Sequence, residues 1–295
     1  MSQFSSTLPA IGSTQQRIGL KPICRLSLRL ALITILLFNV PTEPGTGAVN
    51  RAVGQCWTRS GQITRTTVPS TVYAQPVPVS IYLPPCYEST TERLPVIYLL
   101  HGGNADETQW PDLRVQAEAD ALIAKGTQPF VVVMPSGVYQ TGIDYAAFVL
   151  NDLMPTMNDR LHIRTDAAGR AIGGISLGGY WALSIAFHHP DQFAAVGGYS
   201  PVVASSLDDL VALAHTAAGL DQLHIQLDVG DADALAAGTR RLAETLQTRG
   251  LDVSSTMNSG GHNRPYWRSH TSDYLSFMLA SFTSPTRRLT CRPES

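Results

Sequence analysis

A serine, a group of aspartates and a histidine occur in that order along this chain, each on a loop that carries glycine. Together these residue types could carry out nucleophilic acyl transfer. Ser176 sits in Gly174-Ile-Ser-Leu-Gly178, where the strand-like run Arg170-Ala-Ile-Gly-Gly-Ile175 passes into the helix-like run Tyr180-Trp-Ala-Leu-Ser-Ile-Ala-Phe187. A sharp strand-to-helix turn lifts a hydroxyl out of a sheet, and glycine is needed two positions to either side because a Cβ there would strike neighbouring backbone. A serine in this position can also serve only as a helix cap. Its partners decide between the two uses.

A serine hydroxyl near neutral pH needs a base within hydrogen-bond reach and a third group to hold that base in the correct tautomer. The run Leu223-His-Ile-Gln-Leu-Asp-Val229 reads as a buried strand opening into Gly230-Asp-Ala-Asp233, so Asp233 and Asp231 are both placed for the acid, with Asp228 inside the strand as a third choice. Further on, Ser259-Gly-Gly-His262-Asn263 puts His262 on a glycine-rich loop after another short strand. The developing charge of a tetrahedral intermediate needs preorganised N–H donors. Leu94-Pro-Val-Ile-Tyr-Leu-Leu100 opens into His101-Gly-Gly-Asn104, which makes the Gly103 N–H, together with that of Leu177, the expected oxyanion hole. His101 is expected to orient that loop.

The ordered set Tyr82-Leu-Pro-Pro-Cys-Tyr87, Pro95-Val-Ile-Tyr-Leu-Leu-His-Gly102, Asn151-Asp-Leu-Met-Pro155, Gly174-Ile-Ser-Leu-Gly-Gly179, His189-Pro-Asp-Gln-Phe193, Ser200-Pro201, Gly230-Asp-Ala-Asp233 and Gly260-Gly-His262 resembles the esterase D-type branch of the α/β-hydrolases. That branch holds S-formylglutathione hydrolases, feruloyl and acetyl-xylan esterases, enterochelin esterases and mycolyltransferases. The resemblance implies a serine carboxylesterase acting through an acyl-enzyme, and its G-x-x-D spacing selects Asp233 as the acid. Two positions depart from the family pattern: Cys86 stands where glycine is usual, and Leu177 where methionine is. Leu177 would contribute only its backbone N–H, so that change removes no catalytic atom. The same scaffold admits an acyltransferase passing the acyl group to a sugar or lipid alcohol, or a binding protein that keeps the fold without the reaction.

Apolar runs expected as strands alternate with helical stretches from about Val79 to Ala280, which predicts one α/β domain with a mostly parallel sheet and helices on both faces. Strands are expected at Val79–Leu83, Val96–Leu100, Phe130–Met134, Ala171–Ile175, Ala194–Tyr199, His224–Val229 and Val253–Met257. Pro76 and Pro78 suggest that the first of these is an edge strand. Helices are expected at Asp112–Lys125, Tyr145–Leu161, Leu177–His188, Ser206–Ala218, Leu235–Arg249 and Trp267–Ser281. Trp110, Tyr145, Tyr180 and Trp267 lie beside the motifs and are expected to offer flat faces to a small-molecule, glycan-linked or lipid-linked ester.

Net charge is −2, and Lys21 and Lys125 are the only lysines, so no basic stripe suited to nucleic acid is present. No sequence motif for a metal or other cofactor occurs, and no protein partner is called for. Residues 1–48 read as a secretory signal peptide or, less favoured, an amino-terminal anchor: Arg17, Lys21, Arg25 and Arg29 precede the apolar stretch Leu30–Phe38, and Thr46-Gly-Ala48 offers small residues for cleavage. The catalytic domain is expected over 49–283, with a polar tail over 284–295. Export into an oxidising compartment would leave Cys56, Cys86 and Cys291, of which Cys56 and Cys86 are expected to pair. A base that must be neutral to accept a proton makes turnover rise as pH climbs through roughly 6 to 7, checked by a pH–rate profile; a flat profile would count against His262 as that base.

Overall fold

The computed structural model describes residues 60–137, 144–203 and 210–282, all within a unit spanning Gly45–Ser295. The expected signal segment and polar tail, and Cys24, Cys56 and Cys291, lie outside the described residues. Eight strands form the sheet: β1 (Gln62–Val68), β2 (Val77–Leu83), β3 (Val96–Leu100), β4 (Val131–Pro135), β5 (Arg170–Ile175), β6 (Ala195–Tyr199), β7 (His224–Gly230) and β8 (Val253–Asn258). Their order across the sheet is β1-β2-β4-β3-β5-β6-β7-β8. The β1/β2 and β2/β4 pairs are antiparallel and every later pair is parallel.

The central strands are apolar on both faces because helices cover both. Along β3, Val96, Tyr98 and Leu100 enter one core layer while Ile97 and Leu99 enter the other. The first layer packs under α3 (Tyr145–Ala147), α4 (Met154–Arg160), α5 (Leu177–His188), α6 (Leu210–Thr216) and α7 (Ala236–Thr248). The second packs under α1 (Gln109–Asp112), α2 (Val115–Ala124) and α8 (Arg264–Ala280). Helix α5 is buried from Gly178 to Phe187 except at Trp181, which explains why its sequence is apolar almost all round.

Three expectations need correction. The strand ending at Leu83 is not an edge: β1 pairs along its outer side from Gln62↔Leu83 to Val68↔Val77. With only Ile63 and Val68 as large apolar residues, β1 carries no core-strand signature, and an edge strand with one partner requires none. Pro78 falls opposite Thr67 in this ladder, with its carbonyl accepting from the Ser136 N–H. The helix expected over Asp112–Lys125 is split into α1 and α2, because Arg114 adopts φ 70° between them. The helix expected over Tyr145–Leu161 is interrupted by a π-helical turn, Phe148–Leu153, between α3 and α4.

That turn carries Asp152, which the motif Asn151-Asp-Leu-Met-Pro155 had marked without a role. Its carboxylate accepts from the Thr71 N–H at 2.8 Å, the Ser70 hydroxyl at 3.0 Å and the Thr71 hydroxyl at 3.0 Å, tying the β1–β2 connection to the helical layer. Buried bonds to a charged acceptor are among the stronger ones, so Asp152→Asn should lower unfolding free energy by about 2 kcal/mol. Urea denaturation checks this, with an unchanged midpoint counting against the anchor.

Candidate active site

Ser176, Asp233 and His262 all lie beyond the carboxyl ends of parallel strands: Ser176 after β5, Asp233 after β7 and His262 after β8. The His101–Asn104 loop likewise leaves the end of β3. This is the edge at which open parallel sheets assemble ligand sites.

Ser176 occupies the turn between β5 and α5 with φ 56° and ψ −117°, a left-handed backbone that costs a non-glycine residue roughly 1–3 kcal/mol. Surrounding bonds hold it there: its N–H donates to the Tyr199 carbonyl at 2.8 Å, and its carbonyl accepts from Tyr180 and Val202. Close approach explains the flanking glycines. A Cβ on Gly174 would sit 2.3 Å from the Gly178 carbonyl oxygen, and one on Gly178 would sit 2.2 Å from that of His101.

The Ser176 hydroxyl stands 2.9 Å from His262 Nε2, and His262 Nδ1 stands 2.9 Å from Asp233 Oδ2. The Asp233 side chain is fully buried, and its other oxygen accepts from the Leu235 N–H at 2.9 Å. The imidazole side chain is 35% exposed, so one end of this relay is fixed in the protein and the other is open to solvent. An imidazole held through Nδ1–H by a buried carboxylate presents Nε2 as acceptor for the serine proton.

The two remaining acids have other partners. Asp231 accepts from the Gly260 N–H at 3.0 Å and so braces the loop that carries His262. Asp228 accepts from Thr256, Asn258 and Tyr274 at 2.7, 3.1 and 2.7 Å, inside the sheet–α8 interface. Burial, reinforced by the Asp228 charge, pushes the Tyr274 hydroxyl far above its ordinary range, which keeps it a hydrogen-bond donor.

Gly103 and Leu177 are neighbours: a Cβ on Gly103 would lie 3.9 Å from Leu177 Cδ2. Among the described residues, neither N–H donates to a protein acceptor. The loop is set by Gln109, whose Oε1 accepts from the Gly102 N–H at 2.7 Å. His101 Nδ1 lies 2.6 Å from the Gly102 carbonyl, and the ring also bonds the backbone of Gly137. Burial lowers the His101 pKa below its ordinary 6.5 against the opposing pull of these backbone bonds, which favours the neutral ring.

The four aromatic residues expected in the cleft are core residues instead. Exposure is 1% for Trp110, 0% for Tyr145, 3% for Tyr180 and 6% for Trp267. Trp110 donates its indole N–H to the Leu100 carbonyl, and Tyr145 packs against Phe148 and Trp181. Trp267 donates to the Ser200 hydroxyl at 3.1 Å and meets the His262 ring edge-to-face, with centroids 4.9 Å apart. Burying these large rings behind the loops gains more than exposing them as stacking faces.

Sequence reasoning missed Gln109, Arg264 and Asp112. Arg264 donates to Asp112 at 2.8 Å, joining the start of the helix after His262 to the end of the helix after the His101–Asn104 loop. Neither residue belongs to a motif, and the contact spans 152 positions. Thr271, donating to the Leu113 carbonyl at 3.3 Å, closes the same joint one layer deeper. No helix among the described residues is long and apolar enough to cross a membrane, and no metal-ligand cluster occurs among them.

Comparison with known proteins agrees with this architecture. The chain is 33% identical over 137 residues to an endo-1,4-beta-xylanase/feruloyl esterase of Xylanibacter ruminicola, across 40% of this chain and 18% of that protein. It is 27% identical over 133 residues to an esterase of Mycobacterium tuberculosis, across 41% of this chain and 28% of the other. The matches thus span less than a third of either relative. Among solved structures, a ferulic acid esterase superposes with TM-score 0.72 at 24% identity, covering 76% of this chain and 100% of that one. A fluorophosphonate-binding serine hydrolase of Staphylococcus aureus superposes with TM-score 0.67 at 18% identity, covering 75% and 99%. Identities this low carry the fold, which is that of the α/β-hydrolases. The Esterase family model matches residues 70–278, about seven-tenths of the sequence, and the chain belongs to that family.

Proposed function

We propose that this protein is an exported serine carboxylesterase that works through an acyl-enzyme. The observation that carries the reading is the continuous relay Ser176 Oγ, His262 Nε2, His262 Nδ1 and Asp233 Oδ2, with 2.9 Å at both joints. Ser176 Oγ attacks the ester carbonyl carbon while His262 Nε2 takes the hydroxyl proton. Negative charge collects on the carbonyl oxygen, facing the N–H groups of Gly103 and Leu177. Collapse breaks the bond to the alcohol oxygen, which receives the proton from His262. Water then repeats the sequence on the acyl-serine, its proton passing to His262 and on to Ser176 as the acid departs. Asp233 fixes the tautomer throughout and stabilises the imidazolium.

The 35% exposure of His262 favours water as the second nucleophile over a sugar or lipid alcohol, and so hydrolysis over acyl transfer. The names of the relatives make an aromatic-acid ester a natural member of the substrate panel. Export rests on the basic-then-apolar amino terminus. Cys86 is disulfide-bonded, and we assign Cys56 as its partner in the exported protein.

Hydrolysis of short p-nitrophenyl esters and a feruloyl ester tests this reading. Ser176→Ala should reduce turnover by at least ~10⁴-fold, and Asp233→Asn by about 10³- to 10⁴-fold. Asp231→Asn should cost less than about tenfold, since that carboxylate braces a loop and does not touch the imidazole. Equal losses at both aspartates would overturn the assignment. The depressed pKa of His101 has a separate consequence, because the unfolded chain binds its proton more readily than the folded one. The stability held by the neutral ring is complete above about pH 6.5 and is lost as pH falls from there through the lower folded-state value. The melting temperature should therefore fall less between pH 8 and pH 5 in His101→Gln than in the parent.

A further inference from the structure

The turn after β6, Tyr199 to Val202, is bonded to three segments at once: the Ser176 turn, strand β7 and helix α8. The Tyr199 carbonyl accepts from the Ser176 N–H at 2.8 Å, and the Val202 N–H donates to the Ser176 carbonyl at 3.1 Å, so the turn grips the Ser176 backbone from both ends. Between those two contacts the Ser200 N–H donates to the Asp228 carbonyl at 2.7 Å, on the strand that leads to Asp233. The Ser200 hydroxyl accepts the Trp267 indole N–H at 3.1 Å, on the helix that follows His262. Pro201 packs on the start of α5, where a Cβ on Gly179 would lie 3.2 Å from its Cα.

Ser200 stands where its own backbone preference would not put it. Its φ of 48° lies in the left-handed region that glycine enters freely and serine does not. It is also fully buried, so its hydroxyl must find partners inside the protein. Glycine would suit this backbone better and would bring no polar group into the core, but it would offer no acceptor to Trp267. The indole N–H is a donor only, and at 6% exposure it has little access to water as a substitute for Ser200 Oγ.

The indole in turn touches His262. Asp233 Oδ2 and Ser176 Oγ each stand 2.9 Å from a ring nitrogen and together fix two points of the imidazole. Two points define an axis, and tilting of the ring about it is resisted only weakly, because a hydrogen bond loses little until its angle falls well below the preferred range. Trp267 meets the ring at 86° with centroids 4.9 Å apart and blocks the tilt toward its side. We propose that Ser200 and Trp267 are positioning residues for the base: the Ser200 hydroxyl locks the indole, and the indole holds the His262 ring in line with Ser176 Oγ. Because the turn that carries Ser200 also holds the Ser176 backbone, nucleophile and base are referenced to one short segment. This role rests on the carboxylesterase reading, since it acts through His262.

Steady-state hydrolysis of a short p-nitrophenyl ester by the full chain, with active molecules counted by fluorophosphonate labelling, tests this role. Ser200→Gly removes the hydroxyl and relieves the backbone, whereas Trp267→Phe removes the indole N–H and keeps a ring beside His262. Each should lower kcat about tenfold and leave KM within about twofold, because the transition state needs the alignment and ester binding does not. The double substitution should cost no more than the costlier single one, since both break the same bond. Unchanged kcat in either single variant, a rise in KM in place of the fall in kcat, or multiplied losses in the double variant would each overturn the role. Ser176→Ala in parallel separates the two levels. Turnover lost there but full in Ser200→Gly and Trp267→Phe rejects the positioning role alone, whereas turnover that survives Ser176→Ala rejects the carboxylesterase reading and the role together.

Discussion

The close backbone contact between the Ser176 turn and the His101–Asn104 loop is the constraint on which the rest of the site depends. Gly178 lies so near the carbonyls of Leu100 and His101 that a single methyl group would overlap both, whereas a Cβ on Gly102 would meet the Ser176 Cβ in ordinary contact at 3.5 Å. Strands β3 and β5 are hydrogen-bonded neighbours through Leu100↔Gly174, so their carboxyl ends emerge side by side. Two tight turns can then bring Gly103 beside Leu177, the residue after the serine. Replacing either turn with a looser one would separate the His101–Gly103 backbone from Ser176.

The aspartates following Leu227 divide three tasks over six positions. Asp228, within β7, fixes α8 through Tyr274 and the neighbouring strand through Thr256 and Asn258. Asp231 turns back to hold Gly260, and Asp233 alone faces His262. Strand alternation and the tight turn at Gly230 aim successive carboxylates in different directions. Loop geometry thus selects which carboxylate meets His262.

The His262 ring has two contacts besides Ser176, and the residue after it is fixed as well. Asp233 bonds Nδ1, Trp267 lies edge-to-face against the ring, and Asn263 caps α8 through the Tyr266 N–H. Trp267 is itself pinned by Ser200, a fully buried residue with φ 48° whose N–H donates to the Asp228 carbonyl. Strand β7, the turn after β6 and helix α8 therefore form one connected unit. Arg264 and Asp112 extend that unit to the helix behind the His101–Asn104 loop, so the two halves of the site are joined on the protein surface as well as through the sheet.

Local sequence carried the chemistry and the sheet because both leave short-range marks. A strand buried on two faces must be apolar throughout, and a glycine-flanked serine at a strand-to-helix junction has few other uses, so β3 to β7, α5 and the positions of Ser176 and His262 were legible from runs of a few residues. Three features depended on tertiary structure. The polar edge strand β1 exists because β2 offers it a ladder, not because its own residues favour burial. That Asp233 and not a neighbour meets His262 follows from loop direction, to which the residue type is indifferent. The aromatic rings turned inward because the space behind the loops must be filled, and whether a tryptophan fills a core or lines a cleft is decided by what stands on its other side. Gln109 and the Arg264–Asp112 bridge left no mark at all, since a contact between distant segments is specified only when the chain has brought them together.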